Sequence, residues 1–342
     1  MICSIILAGG SGTRLWPVSD SKTPKQFLNL FSDNSMIVET SKRIETVIPL
    51  ENQYVVTGKV YENLADQQFD GGMKILVEPF AKNTAPCILW TSLKIKKEYG
   101  GDAIVAVLPS DHIIKENETF LKAFKKAIDT SAQGKIVTFG ILPSRPETGY
   151  GYIEITDSNY QLNQTVHKIV AFKEKPALKL AEEYVASGNY LWNSGMFVFC
   201  VDTIIKEFEK HCPDVYGCFC NVDPDDTELV MQAFYQTPSI SIDYAVMERT
   251  DLGCCIPSSF GWSDVGSFQS LHDVHEKDAN GNVCVGNVIA QDTKGCYING
   301  KKRIICIGLD DLVVVEGEDT ILVSKKDVSS AIGEIAKKIR EE

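Results

Sequence analysis

The sequence predicts an α/β fold followed by a small β-rich segment, and three observations lead to this prediction. Through the first half of the chain, short apolar runs rich in valine and isoleucine alternate with helical patterns. This alternation is typical of a parallel sheet that is covered by helices on both faces. After about residue 280, short strands with turn signals replace the helical patterns until a final helix. The length of 342 residues is enough for about two domains.

The first half contains five predicted strands and three predicted helices. The strands have the sequences ICSIILA, QYVVT, MKILVE, AIVAVLPSD and KIVTFGI. The helices are predicted over Met36 to Val47, Thr84 to Tyr99 and Glu116 to Ser131. Asn83 is placed to cap the second helix and Gly100 to end it. Ligands of such sheets bind beyond the carboxyl ends of the strands, so the loops after Leu7, Glu78 and Leu108 form the predicted site.

The second half predicts longer strands, with the sequences GYGYIEI, VHKIVAFKEK and YLWNSGMFVF, and then the β-rich segment. Helices are predicted over Leu178 to Ser187, Val201 to Lys210 and Ile242 to Arg249. From about residue 281 the spacing of short strands allows a β-solenoid, which a charged helix from Val328 to Arg340 closes. We therefore predict a catalytic domain over residues 1–280 and a small domain over residues 281–342 that serves packing and self-association.

Composition argues against several classes of protein. A net charge of −12 does not suit a nucleic-acid binder, which would present a basic face. No apolar run approaches the roughly 20 residues that a membrane-spanning helix needs. The apolar N-terminus has no basic flank and its run stops at Gly9, which argues against a secretory signal. The 11 cysteines have no framework spacing, so we expect reduced thiols and a cytoplasmic location.

One dense cluster of potential metal ligands contains His211, Cys212, Cys218 and Cys220. It has no Cys-x-x-Cys pair, and its spacing matches no common zinc module. We interpret the cluster as a loop and helix edge with buried thiols, with a zinc site as the alternative. The sequence alone gives the cluster no role.

The stretch LAGGSGTRLWPVSDSKTPKQF, residues 7–27, places glycines and cations together in an acidic chain. Gly9, Gly10 and Gly12 follow the first predicted strand, where bare backbone N–H groups can approach phosphate oxygens. The stretch is not a dinucleotide fingerprint, because position 15 is leucine, and it is not a P-loop, because Arg14 interrupts that pattern. Arg14 and Lys25 can neutralise a polyphosphate that the backbone binds. A tight turn without a ligand is the alternative.

Eight motifs along the chain carry a resemblance to one enzyme family. They are the glycine stretch and, in order, EPFAKNTAP, LPSDH, ETGYGYIE, FKEKP, YLWNSGMF, SIDYAVME and GWSDVGSF. The sequence resembles the nucleotide-sugar pyrophosphorylases, and among them the mannose-1-phosphate guanylyltransferases, also called GDP-mannose pyrophosphorylases. A small departure is Lys173, where the family usually has valine. The resemblance implies a Rossmann-like nucleotidyltransferase domain with a mostly parallel sheet, plus a small C-terminal β-helix-like domain.

The resemblance implies a reaction of GTP with mannose 1-phosphate that gives GDP-mannose and pyrophosphate. The attacking phosphate is already largely a dianion at neutral pH, so no general base is needed and His112 is interpreted as structural. Arg14 and Lys25 are implied to stabilise the leaving pyrophosphate. Asp111 and Asp264 are implied to bind one Mg²⁺. The alternative for Asp264 is the N-cap of a helix that begins at the next residue.

The resemblance also implies two sets of binding residues. The nucleotide set is Leu7, Ala8, Gly9, Gly10, Gly12, Thr13, Glu78, Asn83, Thr84 and Pro109. The sugar-phosphate set is Gly149, Glu174, Lys175, Asn193 and Gly195. We expect Glu78 to select guanine, because an ionised carboxylate can accept hydrogen bonds from both N1–H and the exocyclic amine. The alternatives are that the backbone of residues 8–10 reads guanine, and that Glu78 caps the next helix.

Two other functions stay open at the level of sequence. One is a pyrophosphorylase with another nucleotide or sugar specificity, and the other is a non-catalytic relative that senses nucleotide sugars. The presence of both predicted cations and both predicted metal ligands favours an enzyme. We expect a homodimer that forms through the β-rich segment, with no nucleic-acid or membrane partner.

Overall fold

The computed structural model describes the chain except for residues 11, 12, 157–159, 327 and 342, and describes the backbone alone at residues 13, 329, 330, 340 and 341. The described residues form two compact units, each assembled from separate stretches of chain. Unit 1 contains residues 1–9, 40–110 and 114–262, and unit 2 contains residues 10–39, 111–113 and 263–342. The units therefore do not follow chain order, and the division into domains at residue 280 stays a prediction.

The strands are β1 (Ile2–Leu7), β2 (Gln53–Gly58), β3 (Lys74–Glu78), β4 (Ile104–Pro109), β5 (Ile113–Ile114), β6 (Ile136–Ile141), β7 (Tyr152–Ile155), β8 (His167–Lys173), β9 (Tyr190–Cys200), β10 (Gly253–Ser258), β11 (Trp262–Ser263), β12 (Val283–Gln291), β13 (Tyr297–Ile307), β14 (Leu312–Glu316) and β15 (Ile321–Lys325). The α-helices are α1 (Met36–Ile44), α2 (Glu62–Gln68), α3 (Thr84–Tyr99), α4 (Asn117–Ser131), α5 (Leu178–Ser187), α6 (Val201–His211), α7 (Pro213–Phe219), α8 (Thr227–Gln236), α9 (Phe268–Val274) and α10 (Ser329–Glu341). Short 3₁₀ helices cover Thr13–Leu15, Lys25–Phe27, Leu50–Asn52 and Lys59–Tyr61, and a π-helical turn covers Asp243–Met247.

Unit 1 is built on a sheet of nine strands in the order β3-β2-β1-β4-β9-β6-β10-β8-β7. The pairs β3–β2, β2–β1, β1–β4 and β6–β10 are parallel. Strand β9 runs antiparallel to β4, β6 and β7, and β8 runs antiparallel to β10 and β7. It follows that only β8 and β9 are reversed among the described strands of this sheet. The prediction of a mostly parallel sheet is confirmed.

Helices cover both faces of the sheet, as strand β4 shows most clearly. Val105 and Val107 belong to a core cluster with residues of α3, α6 and α8. Ile104, Ala106 and Leu108 belong to a second cluster with residues of α4. Because successive side chains of a strand point to opposite faces, this alternation places one apolar core on each side of the sheet.

The first four strands end at one edge of the sheet. In the register of the strands, Leu7 lies opposite Val56 and Pro109, and Gly58 lies opposite Glu78. The carboxyl ends of parallel strands meet at the same edge, so the segments that follow β1, β3 and β4 leave the sheet side by side. This arrangement confirms that an α/β sheet holds the predicted loops at its carboxyl edge.

Unit 2 contains a stack of short strands. Val283 of β12 pairs with Tyr297 of β13, and Tyr297 pairs with Val313 of β14, both in parallel. Strand β15 closes the stack antiparallel to β14. Parallel strands that follow one another directly with short connections form a β-helix-like structure, which confirms that part of the predicted fold.

The core of unit 2 joins the β stack to the glycine stretch. Leu15 shares one apolar cluster with Val265, Phe268, Tyr297 and Ile332. Helix α10 also packs against the 3₁₀ helix Thr13–Leu15, which carries Arg14. The β-rich segment therefore buries apolar side chains of the stretch that the sequence assigns to phosphate binding.

The structure differs from the predicted elements in several places, and the sequence pattern does not predict α2, the sheet strand β10 or α9. The predicted helix from Ile242 to Arg249 is a π-helical turn over Asp243–Met247, and the sequence pattern does not predict α7 and α8. Helix α8 has a local start signal, since the side chain of Asp226 accepts hydrogen bonds from the N–H groups of Glu228 and Leu229.

The described residues hold no group of three or more His, Cys, Asp or Glu side chains that could bind a metal ion.

We predict that Ile332→Ala destabilises the protein by about 2–5 kcal/mol, because it leaves a cavity in the core that α10 shares with the glycine stretch. Ile332 is 3 % exposed, whereas Ile335 on the same helix is 49 % exposed. Ile335→Ala is therefore the matched control, with an expected change below about 1 kcal/mol. Urea unfolding of both variants measures the difference. Equal effects of the two substitutions would show that α10 does not dock as described.

Candidate active site

Glu78 ends β3 at the carboxyl edge of the sheet in unit 1. A Cβ atom built on Gly9 would lie 3.6 Å from Glu78 Oε1, so the carboxyl group lies against the bare backbone that follows β1. Burial raises the pKa of the Glu78 carboxyl group to about 7. A ligand that donates hydrogen bonds to this group favours its ionised form. The position suits a ligand that presents adjacent N–H donors.

The N-terminus of α3 lies in the segment after Glu78. Asn83 caps this helix, because its side chain accepts a hydrogen bond from the N–H of Thr84 at 2.8 Å. The side-chain oxygen of Thr84 accepts a hydrogen bond from the N–H of Ile242 at 2.9 Å. The alternative that Glu78 caps α3 is therefore wrong, since Asn83 fills that role.

Part of the backbone that could read a base is already bound within the sheet. The N–H of Ala8 donates to the carbonyl oxygen of Val56 at 2.8 Å, and the hydroxyl of Thr57 donates to the carbonyl oxygen of Ala8 at 3.0 Å. The N–H of Ser110 donates to the carbonyl oxygen of Leu7 at 3.0 Å. These bonds tie the end of β1 to both neighbouring strands and leave the two glycines after Ala8 as the better candidates for backbone contact with a ligand.

Asn193 of β9 has a fixed amide orientation. Its Oδ1 accepts from the N–H of Gly195 at 3.1 Å, and its Nδ2 donates to Asp243 Oδ1 at 3.0 Å. Gly195 has φ of +69°, a conformation that glycine adopts readily. The N–H of Asn193 donates to the carbonyl oxygen of Gly151 at 2.8 Å. The side chain that the sequence assigns to sugar hydroxyls is thus held at both ends.

Glu174 and Lys175 follow β8, and their side chains form an ion pair with Nζ 2.6 Å from Oε1. The Lys175 side chain is 61 % exposed, whereas that of Glu174 is 9 % exposed. A Cβ atom on Gly151 would clash with Glu174 Oε2, so another residue at this position would displace the end of the Glu174 side chain. Gly149, which the sequence selected, instead donates its N–H to Glu147 Oε1 at 3.0 Å.

Sequence reasoning missed Gly151 and Asp243, which both contact predicted sugar-binding residues. Each lies inside a motif that carries the family resemblance, ETGYGYIE and SIDYAVME respectively. The contacts of these two residues are with residues far along the chain. The motifs therefore draw attention to both residues, but the spacing of residues in the sequence does not predict the contacts.

In unit 2, the ammonium group of Lys25 joins three segments of chain. Nζ lies 2.8 Å from Asp111 Oδ2 and donates to the carbonyl oxygens of Asp264 at 2.5 Å and Val265 at 3.3 Å. The Lys25 side chain is 9 % exposed. An ammonium group has three hydrogens, and these three acceptors match them.

Asp111 is the acidic partner of Lys25 and also lies beside His112. Burial by itself raises the pKa of the Asp111 carboxyl group, but the charges of Lys25 and His112 outweigh it and the net pKa lies below the ordinary value. The side chain remains 36 % exposed. Asp111 is therefore an ionised carboxylate with a face open to a ligand.

Asp264 lies in a strained turn before α9. Its Oδ1 accepts from the N–H of Gly266 at 3.1 Å. The next residue, Val265, has φ of +48°. This backbone conformation is costly for a β-branched residue, and strained conformations of this kind are concentrated at functional sites. Helix α9 begins at Phe268 and is capped by Ser267 in a capping box. The alternative that Asp264 is a helix N-cap is therefore wrong.

Arg14 is exposed and its guanidinium lies close to the Asp264 turn. A Cβ atom on Gly266 would lie 3.4 Å from Arg14 Nη1. Gly10 has φ of +111°, and its carbonyl oxygen accepts from Gln26 Nε2 at 3.4 Å. Two members of the predicted nucleotide set, Gly12 and the side chain of Thr13, lie outside the described residues.

The described residues fall into three groups with distinct chemistry. Unit 1 holds the buried carboxyl group of Glu78, where the sequence predicts base recognition, and the hydrogen-bonded amide of Asn193, where it predicts sugar recognition. Unit 2 holds a charged group with Arg14, Lys25 and two carboxylates. Two carboxylates are what Mg²⁺ usually takes from a protein, with phosphates and water as its other ligands, so Asp111 and Asp264 fit a divalent ion. Among the described residues, no helix is both long and apolar enough to cross a membrane.

Family models match both the sheet-containing part and the β-rich part of the chain. A model of the nucleotidyl transferase family matches residues 3–281, and a model of the mannose-phosphate isomerase and GMP-like β-helix domain matches residues 286–339. The alginate biosynthesis protein AlgA of Pseudomonas aeruginosa is 41 % identical over 94 % of this chain and 69 % of its own length. A mannose-1-phosphate guanylyltransferase of Sinorhizobium fredii is 38 % identical over 99 % of this chain and 68 % of its own length.

A solved structure shares the whole fold. It is described as a mannose-1-phosphate geranyltransferase from Thermus thermophilus, with a TM-score of 0.89 and 29 % identity. The match covers 99 % of each chain. Because the family model matches most of the chain and these relatives are 38 to 41 % identical over nearly all of it, the chain belongs to the nucleotidyl transferase family.

Proposed function

We propose that this protein is a mannose-1-phosphate guanylyltransferase, which makes GDP-mannose and pyrophosphate from GTP and α-D-mannose 1-phosphate. The observation that carries the proposal is the Lys25 ammonium group, which bonds at once to Asp111 and to the backbone of Asp264. It holds an ionised carboxylate and a strained acidic turn as one charged group. The name of the Sinorhizobium fredii relative, which is 38 % identical over 99 % of this chain, supports the choice of substrates.

The chain's contribution to this reaction is alignment and charge stabilisation. The sugar phosphate is largely a dianion at neutral pH, so the enzyme has to bring two anions together and stabilise the leaving pyrophosphate. The exposure of Arg14 beside the Asp264 turn supports a contact of its guanidinium with phosphate oxygens. A contact of Lys25 with pyrophosphate stays a prediction. The bonds of Lys25 support a further task, which is to keep Asp111 and the Asp264 turn in place.

Members of this family generally use a divalent metal, and we propose Mg²⁺ as the ion. Asp111 and Asp264 would hold it, and it would supply neutralisation of phosphate charge during transfer. The pair with Lys25 keeps Asp111 ionised, which is the form that a metal requires. Arg14 is positively charged, like the ion. We propose that it binds phosphate oxygens directly, which the negatively charged carboxylates cannot do.

We propose that the protein forms a homodimer through the β stack. Several large apolar side chains on its strands are exposed, namely Ile289, Ile305, Ile307, Ile321 and Val323, at 49 to 67 %. Ile289 and Ile305 lie opposite each other in the paired strands β12 and β13, and neighbouring exposed apolar side chains of this kind mark contact sites on proteins. We also propose a cytoplasmic location, which the 11 free thiols support.

We predict that, in a grid of four nucleoside triphosphates against several sugar 1-phosphates, GTP with mannose 1-phosphate gives the highest kcat/KM. Pyrophosphate release measures each reaction. Another preferred pair would overturn the assignment of substrates. No release with any pair would favour the non-catalytic sensor of nucleotide sugars.

The control for this assay uses matched substitutions in unit 2. Asp111→Asn and Asp264→Asn should lower kcat by about 10³-fold, since each removes a metal ligand that acts in the transition state. Asp319→Asn changes an exposed aspartate of the same unit and should leave kcat unchanged. Circular dichroism checks that all three variants fold. Near-normal activity of either ligand variant at saturating Mg²⁺ would remove that aspartate from the site.

We predict that Glu78→Gln lowers the preference for GTP over ATP by about 10²-fold, a few kcal/mol, because one acceptor that faces guanine becomes a donor. The wild-type preference should also rise as the pH increases through about 7, since the raised pKa of Glu78 means that the ionised acceptor forms only there. The triphosphate is common to both nucleotides, so its own titration cancels in the ratio of kcat/KM.

Glu118→Gln, at an exposed site on α4, is the control for the base-reading test and should keep both the preference and its pH dependence. If the ratio of kcat/KM is the same in wild type and Glu78→Gln at every pH, guanine is read elsewhere. The backbone of Gly9 and Gly10 is then the better candidate for the group that reads guanine.

A further inference from the structure

The segment from Ile240 to Asp243 contacts two parts of unit 1. One is the predicted nucleotide-binding turn at the start of α3, and the other is the predicted sugar-binding residue Asn193. Its backbone pairs with the start of α3, because the N–H of Ile240 donates to the carbonyl oxygen of Lys82 at 3.2 Å and the N–H of Ala85 donates to the carbonyl oxygen of Ile240 at 3.1 Å. The N–H of Ile242 donates to the hydroxyl oxygen of Thr84 at 2.9 Å. The segment is therefore attached to the turn that the sequence assigns to the nucleotide.

The other end of this segment holds the amide that the sequence assigns to the sugar. Asp243 Oδ1 accepts from Asn193 Nδ2 at 3.0 Å, while Asn193 Oδ1 accepts from the N–H of Gly195. Each amide nitrogen has two hydrogens, so Asn193 retains a second N–H whose direction the first bond fixes. Asn193 Oδ1 also accepts from the Thr138 hydroxyl at 3.4 Å, so Asp243 is the one partner among the described residues that holds Nδ2, and its loss leaves the amide held at the oxygen end alone.

The surroundings of Asp243 are costly for a carboxylate that has only a structural task. Asp243 begins a π-helical turn, a geometry that is often found at functional sites. Burial and the nearby Glu174 carboxylate together raise the pKa of its carboxyl group to about 6, against the Ser241 hydroxyl and Lys175, which lower it. Two acidic groups with one lysine in a partly buried site are a good receptor for neutral hydroxyl donors.

We propose that Asp243 is a positioning residue for sugar recognition, which orients the amide of Asn193 and links it to the nucleotide-binding turn at the start of α3. This inference rests on the proposed function, since it concerns the sugar of the same reaction. Asp243 acts through Asn193, and Asn193 contacts the sugar hydroxyl. The consequence is that loss of Asp243 weakens binding of the sugar phosphate without weakening binding of GTP.

The experiment compares Asp243→Ala, Asp243→Asn, Asn193→Ala and the double variant Asp243→Ala with Asn193→Ala. Asp243→Ala should raise KM for mannose 1-phosphate about tenfold, the effect of one lost interaction of roughly 1.4 kcal/mol, and leave KM for GTP within about twofold. Asp243→Asn retains an oxygen that can accept from Asn193, so its KM should stay within about threefold of wild type. In the Asn193→Ala background, adding Asp243→Ala should change KM by less than about twofold, because the group on which Asp243 acts is gone.

The outcomes separate this inference from the proposed function. Wild-type protein that turns over no sugar 1-phosphate overturns the proposed function and with it this inference. Normal wild-type turnover with an unchanged KM in Asp243→Ala overturns the inference alone. An equal rise of KM in both backgrounds also overturns it, since Asp243 would then act independently of Asn193. Asp251→Ala, at an exposed site in the same unit, controls for loss of a carboxylate and should match wild type.

Discussion

The hydrogen bonds of the Lys25 ammonium group hold the charged part of unit 2 together. One cation meets a carboxylate and two carbonyl oxygens, and the side chain is almost fully buried. Charge-assisted bonds of this kind contribute roughly 1.5–3 kcal/mol each, and removal of one partner leaves the other charge desolvated. The same contacts keep Asp111 ionised and support a turn in which Val265 has a strained backbone. The arrangement of Asp111 and the Asp264 turn therefore depends on the contacts of one side chain.

The β stack has a role in this arrangement that differs from simple self-association. Its apolar side chains share a core with Leu15 and Val265, and the first of these follows Arg14 directly. A Cβ atom on Gly317, just after β14, would lie 2.6 Å from Pro17 Cβ, so the stack approaches the glycine stretch as closely as backbone allows. The stack thus supports the segment that carries the cations.

Local signals predict much of the fold, and long-range contacts account for what they miss. The bounds of α3, its Asn83 cap and its end before Gly100 follow from residues close in sequence, and the structure reproduces them. The bond of Lys25 to Asp264 joins positions 239 residues apart, which no spacing reveals. The sequence allows Asp264 as the cap of α9, but the Ser267 capping box three residues later sets the helix start. The contact between Asn193 and Asp243 likewise emerges only when distant segments meet.

The most direct test of this account is a double-mutant cycle on Lys25 and Asp111, measured as the free energy of unfolding in urea. The account predicts that Lys25→Met and Asp111→Asn each destabilise the protein and that the two effects are coupled by about 1 kcal/mol or more. The exposed pair Lys59 and Glu62 of unit 1, whose side chains are 76 % and 37 % exposed, is the control and should show coupling below about 0.5 kcal/mol. Additive effects of Lys25→Met and Asp111→Asn would contradict the account, since the two groups would then stabilise the unit independently.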